Sequence, residues 1–315
     1  MKSGTKIRGM SRSRVALGGY SGIDRKEMMM SSRIMVLGGT GMLGRPVVHC
    51  LTGKGHTVRI LTRNVEKTHN MFGDTVEIVE GTATNRDDIR AALVGSNAVH
   101  INLTPATEFA AMRHVVELAE GQLERITYVS ATTLSEENRW FDRVDVKMRT
   151  EELLRNSGIQ HAVFCPTWVM ETLYNFINGN WAVVVLGNNP PALHFFAAAD
   201  FGRMVADSYE DDRALGKRLY VYGPEAITLS DAMERFVAAC YPEVRVMHWK
   251  LWQARLAAKL MRNESLAEVT KLIAYLDVAG EHGDPSEANA LYGAPAITLD
   301  EWLKMPKDSR TGWPH

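Results

Sequence analysis

Gly38-Gly39-Thr40-Gly41-Met42-Leu43-Gly44 is the stretch on which the reading of the chain turns. It follows the apolar run Ile34 to Leu37 and opens a segment, roughly Met42 to Lys54, in which Leu43, Val47, Val48 and Leu51 fall on one side. An unbroken apolar run closed by glycines is the pattern of a strand covered on both faces, and the spacing after it is helical. Gly53 and Gly55 stop that helix. Within the turn, Gly38 allows the sharp reversal, Gly41 lets another molecule approach the main chain, and Gly44 lets the helix pack close to the strand. The first N–H groups of a helix lack intrahelical partners and carry partial positive charge. Gly38, Thr40, Gly41, Met42, Leu43 and Gly44 are therefore expected to receive a phosphate group.

The same alternation runs outward from the turn. Thr57 to Thr62, Val76 to Glu80, Ala98 to Leu103, Ile126 to Ser130 and His161 to Cys165 read as further strands. Helical segments stand between them: Asp87 to Val94, a stretch spaced as Phe109, Met112, Val116 and Ala119, and Val144 to Asn156. Strands alternating with helices imply a doubly wound parallel α/β sheet of the Rossmann kind, and right-handed crossovers favour the strand order 3-2-1-4-5-6. This domain is expected over residues 33–166. Residues 167–315 read as a smaller, mostly helical substrate lobe, interleaved with the last strands of the sheet; its expected helices are Asp200 to Tyr209, Asp231 to Cys240, His248 to Met261 and Ser265 to Leu276, with a strand at Leu219 to Tyr222.

Composition narrows the class. A formal net charge of -1 and a pI of about 6.8 argue against a direct nucleic-acid binder. No apolar run approaches the ~20 residues needed to cross a bilayer, so a membrane partner is not expected. Cys50, Cys165 and Cys240 are far apart and odd in number. They suit no disulfide framework or metal site, which points to a reducing cytoplasm. Residues 1–32 are rich in Ser, Gly, Lys and Arg and read as a disordered leader, or an extension upstream of a start near Met28, Met29 or Met30.

The end of the second strand, Leu61-Thr62-Arg63-Asn64, bears on the choice of cofactor. A site that prefers NAD(H) places a carboxylate there for the ribose 2′-hydroxyl. Here Arg63 stands instead, able to grip a 2′-phosphate with two N–H groups, and Lys67 adds a second positive charge. NADP(H) is expected in preference to NAD(H).

With these residues in view, the chain resembles the NmrA-like branch of atypical short-chain dehydrogenases/reductases. The likeness rests on Val36 to Gly44, spaced G-x-x-G-x-x-G, on Val58 to Asn64, on Tyr128-Val129-Ser130-Ala131, on Lys147 to Glu151, and on Pro166-Thr167-Trp168-Val169-Met170-Glu171. The resemblance implies NAD(P)-dependent reductases and their relatives, and also regulators that bind the nucleotide without turnover. Catalytic members of the wider superfamily use Ser, Tyr and Lys, with Tyr four residues before Lys. Ser130 and Lys147 match the first and last, whereas Arg143 occupies the tyrosine position and is a poor general acid. Lys147 is expected to anchor the ribose and to pass a proton; its plainer reading is a surface residue paired with Glu151. Trp168, Tyr174 and His194 are candidate substrate contacts. His49 reads as packing and His100 as a satisfied core group. Two functions follow: an NADPH-dependent reductase of a small apolar carbonyl, enone or quinone, or a non-catalytic NADP(H) sensor acting through a protein partner. A homodimer is compatible with either.

Overall fold

The computed structural model describes Met1, residues 32–119 and residues 121–311, so the expected leader lies almost wholly outside the described residues. Strand β1 (Arg33–Leu37) shows why the sheet forms. Its residues alternate between two cores: Ile34 and Val36 face one side with Val47, Val48 and Leu51, and Met35 and Leu37 face the other with Ile89, Met112 and Leu154. A period of two with apolar residues at every position leaves both faces to be covered. Helix α1 (Gly44–Gly53) covers the first face, and α3 (Arg86–Leu93), α4 (Pro105–Ala119) and α5 (Asp142–Asn156) cover the second.

Strands β2 (Thr57–Thr62), β3 (Glu77–Glu80), β4 (Ala98–Ile101), β5 (Arg125–Val129), β6 (His161–Pro166) and, later in the chain, β11 (Arg218–Val221) complete the sheet. The order is β11-β6-β5-β4-β1-β2-β3, and each of these pairings is parallel. The expected 3-2-1-4-5-6 order is present, extended at the β6 edge. Between the strands of this sheet, one helix was not anticipated. The segment α2 (Val65–Phe72) starts where the Asn64 side chain accepts the Lys67 N–H, a local cap that overrides a weakly apolar sequence.

The lobe is mostly helical and also carries two small sheets. Strands β7 (Trp168–Val169), β10 (Ala192–Phe196) and β12 (Glu225–Thr228) form one; β8 (Ile177–Asn178), β9 (Trp181–Leu186) and β13 (Arg245–Lys250) form the other. Its helices are α6 (Ala198–Asp207), α7 (Leu229–Cys240), α8 (Leu251–Met261), α9 (Glu264–Ala279), α10 (Ser286–Tyr292), α11 (Leu299–Lys304) and α12 (Lys307–Thr311). The helix expected from His248 begins only at Leu251, because Arg245 to Lys250 pairs residue by residue with Trp181 to Leu186. The lobe is fastened to the large sheet's α1 face by α6, which crosses α1 so closely that a Cβ on Gly202 would lie 2.6 Å from the Pro46 carbonyl carbon.

Candidate functional site

The turn after β1 is shaped by its glycines. Gly38 has φ +84°, and a Cβ there would lie 1.9 Å from the Asn102 carbonyl oxygen at the end of β4. A Cβ on Gly44 would fall 2.1 Å from the Gly38 oxygen, so the first turn of α1 can sit on the strand end only as glycine. Gly41 is exposed, and its N–H is tied to the Gly38 oxygen at 3.0 Å. No side chain caps α1, and its first turn holds no acid. An uncapped helix start beside an exposed glycine fits a pyrophosphate. Met42 and Leu43 are half-buried and anchor the loop on the core.

Leu37 pairs with Leu61 across β1 and β2, which brings Arg63 to the level where β1 enters the glycine turn. Arg63 is exposed and follows directly on β2; Lys67 lies in the first turn of α2.

A chain of buried charges lies beyond the end of β5. Lys147 on α5 donates to Glu108 Oε2 at 3.0 Å and to the Val129 carbonyl at 3.1 Å, and its Nζ stands 5.3 Å from the centre of the Tyr128 ring. Glu108, on α4, has no exposed surface. Burial holds its carboxyl above the usual range, and the ammonium of Lys147 offsets only part of that rise. The expected pairing of Lys147 with Glu151 is not found. Glu151 instead takes Arg218 Nε at 3.2 Å on Oε2 and the Ser130 hydroxyl on Oε1. Ser130 is thus next to the Lys147 anchor point, but its proton points at a buried carboxylate. Arg218 also donates to the Ala131 carbonyl at 2.9 Å. Glu108 and Arg218 were missed from sequence, and Glu151 was read only as a partner of Lys147; the only signal for Glu108 was an acid inside an otherwise mostly apolar helical stretch.

Arg143, one turn before Lys147 on α5, borders a cavity of about 670 Å³. The cavity is otherwise lined by uncharged groups, among them Trp168, Phe176, Val183, Trp249, Leu266 and Ile273. Of the three candidate substrate contacts, Trp168 forms part of this wall, its indole N–H held by Thr172 Oγ1 at 2.6 Å. Tyr174 packs edge-on against Phe236 and Trp302 inside the lobe. His194 is bound to Glu281 through Nδ1 at 2.6 Å, lies against the Tyr222 ring and is not in the cavity wall. His100 is wholly buried with Nδ1 2.7 Å from Thr127 Oγ1, and His49 lies against Phe72. Among the described residues, no group of His, Cys, Asp or Glu is arranged to hold a metal.

Residues 30–303 match the NmrA-like family. The chain belongs to that family. It is 25% identical over 213 residues to the photosystem II assembly factor Ycf39 of Synechocystis sp., an alignment covering 62% of this chain and 63% of that protein. A second Ycf39, from Cyanophora paradoxa, is spanned over 44% of its length, so the chain covers less than two thirds of either. Among solved structures, a nucleoside-diphosphate-sugar epimerase from Staphylococcus aureus superposes with a TM-score of 0.71 at 17% identity, covering 87% of this chain and 100% of that one. An NADPH-dependent quinone oxidoreductase from Escherichia coli, complexed with NADPH, gives 0.69 at 18% identity, covering 86% and 98%. These likenesses establish the family's Rossmann-type fold for this chain.

Proposed function

We propose that this NmrA-like protein is an NADPH-dependent reductase of a small apolar carbonyl, enone or quinone. The observation that carries this reading is the mostly uncharged cavity of about 670 Å³ bordered by Arg143, one helical turn from the half-buried Lys147 and its buried partner Glu108. The uncapped start of α1, with Gly38, Thr40, Gly41, Met42, Leu43 and Gly44, would hold the pyrophosphate of NADP(H), and Arg63 with Lys67 the 2′-phosphate. The nucleotide, when bound, supplies a hydride. What the chain itself must supply is a proton and an orientation for the acceptor. Lys147 carries protons and is steadied by Glu108 and the Val129 carbonyl, so it can meet the ribose and deliver a proton where a tyrosine would otherwise act. Trp168 gives a flat acceptor a face to lie on, and the apolar wall excludes water.

The test is NADPH oxidation against a panel of quinones and enones. Turnover that falls about a hundredfold in Lys147→Ala supports the reading. Full turnover in that variant removes Lys147 from the chemistry. A second reading, a nucleotide-dependent regulator that acts through a protein partner, is favoured by Arg143 at the tyrosine position and by the engagement of Ser130 with Glu151. Tight NADPH binding with no turnover on any acceptor is its signature.

A further inference from the structure

The outward side of α8 is apolar. Trp252, Leu256 and Leu260 follow at intervals of four residues and Met261 adjoins them; they are 62%, 51%, 75% and 66% exposed. Among the described residues, nine large apolar side chains besides Met1 are exposed, and four of them lie on this one helix. They are not the edge of a core, because α8 already buries Leu251, Ala254 and Ala258 on its inward side. Helix α8 contains no acid. Arg255 and Lys259 run along the exposed stripe, Lys250 precedes it and Arg262 follows it, and all four are exposed. No ion pair holds any of these four among the described residues. Glu264, at the start of α9, is the first acid beyond the helix.

A surface helix with a tryptophan-and-leucine stripe edged by free cations has the chemistry of one lying between lipid headgroups and acyl chains. The indole suits that boundary, and the cations suit anionic headgroups. A second copy of the chain fits less well: a two-fold contact through this face would bring two stripes together that each carry Arg255 and Lys259 and no acid on α8. We propose that α8 is a peripheral anchor that docks the protein on an anionic lipid surface. Among the described residues no helix is long and apolar enough to cross a membrane, and an interfacial helix needs no such length. Met261, Asn263 and Leu266, at the α8–α9 turn, also belong to the cavity wall, so docking sets that wall against the lipid. Delivery of a lipid-dissolved acceptor through it rests on the reductase reading; the docking does not.

The experiment is co-sedimentation of the full chain with phosphatidylcholine vesicles made with and without phosphatidylglycerol. Binding is expected only to the anionic vesicles, and it weakens as salt is raised. Leu256→Asp with Leu260→Asp abolishes it; both positions face solvent, and an unchanged near-ultraviolet circular dichroism spectrum confirms that the variant is folded. Arg255→Gln with Lys259→Gln weakens it roughly 25-fold, at about fivefold per cation. Failure of the wild-type chain to bind anionic vesicles overturns the proposal, as does binding that the aspartate pair leaves intact. A dimer that the aspartate pair dissociates, without vesicle binding, assigns the face to a second copy and also overturns it. NADPH oxidation plays no part in these readouts, so the docking and the reductase reading stand or fall separately.

Discussion

Lys147 and Glu108 are joined across 39 residues of chain, and their energetics separate support from chemistry. Lys147→Ala strands a carboxylate with no exposed surface, and is expected to cost roughly 3 kcal/mol in urea denaturation. Glu108→Leu combined with Lys147→Met removes both charges, which restores most of that stability while turnover stays low. Recovery of turnover in the double variant would show that Lys147 serves packing alone. Arg63→Asp is expected to weaken NADPH by at least about tenfold and to favour NADH, read by fluorescence titration. Unchanged NADPH affinity removes Arg63 from the site. The glycine turn was legible because its shape is set by its own stretch of backbone. The Lys147 partner was not: a glutamate in a helical stretch reads as solvent-facing, and only the packing of α4 against α5 shows that Glu108 points inward.

The sheet was readable strand by strand because burial on both faces leaves a continuous apolar run, as in Met35-Val36-Leu37. The lobe was harder. Arg245 to Lys250 is half polar and half apolar, and it becomes a strand only through its parallel pairing with Trp181 to Leu186 more than sixty positions earlier. Apart from Trp168 the cavity was out of reach for the same reason, since its walls come from α5, residues 167–178, β9, β13 and α9 with the turn before it. Where elements cross closely, glycine is the readable mark. Gly44→Val is expected to abolish NADPH binding, because any side chain there meets the Gly38 oxygen. Gly202→Val forces α6 away from α1 and is expected to cost about 2 kcal/mol, measured as a lower urea midpoint with an unchanged slope.

Across the molecule, two buried groups give stability opposing dependences on pH. His100 is held down to about 3 by burial, so below its ordinary 6.5 only the unfolded chain takes up the proton and stability is lost as pH falls. Glu171, buried where it accepts the Ala198 N–H and the Trp302 indole N–H, is pushed up to about 7 by burial. Its folded form holds a proton that the unfolded chain releases above 4.5, so stability is lost as pH rises from 4.5 to 7. Glu171→Gln removes the second arm. Relative to wild type, the variant should gain stability through that window at up to about 1.4 kcal/mol per pH unit and gain no more above it, in thermal melts across pH. A difference that does not vary with pH would show that Glu171 titrates in its ordinary range. At the scale of the whole molecule, the bare amides at the start of α1 are expected to seat a dinucleotide phosphate. Calorimetric titration of the folded chain with NADPH and with NADH tests it most directly: NADPH should bind, and more tightly than NADH, while no heat of binding from either would contradict the account.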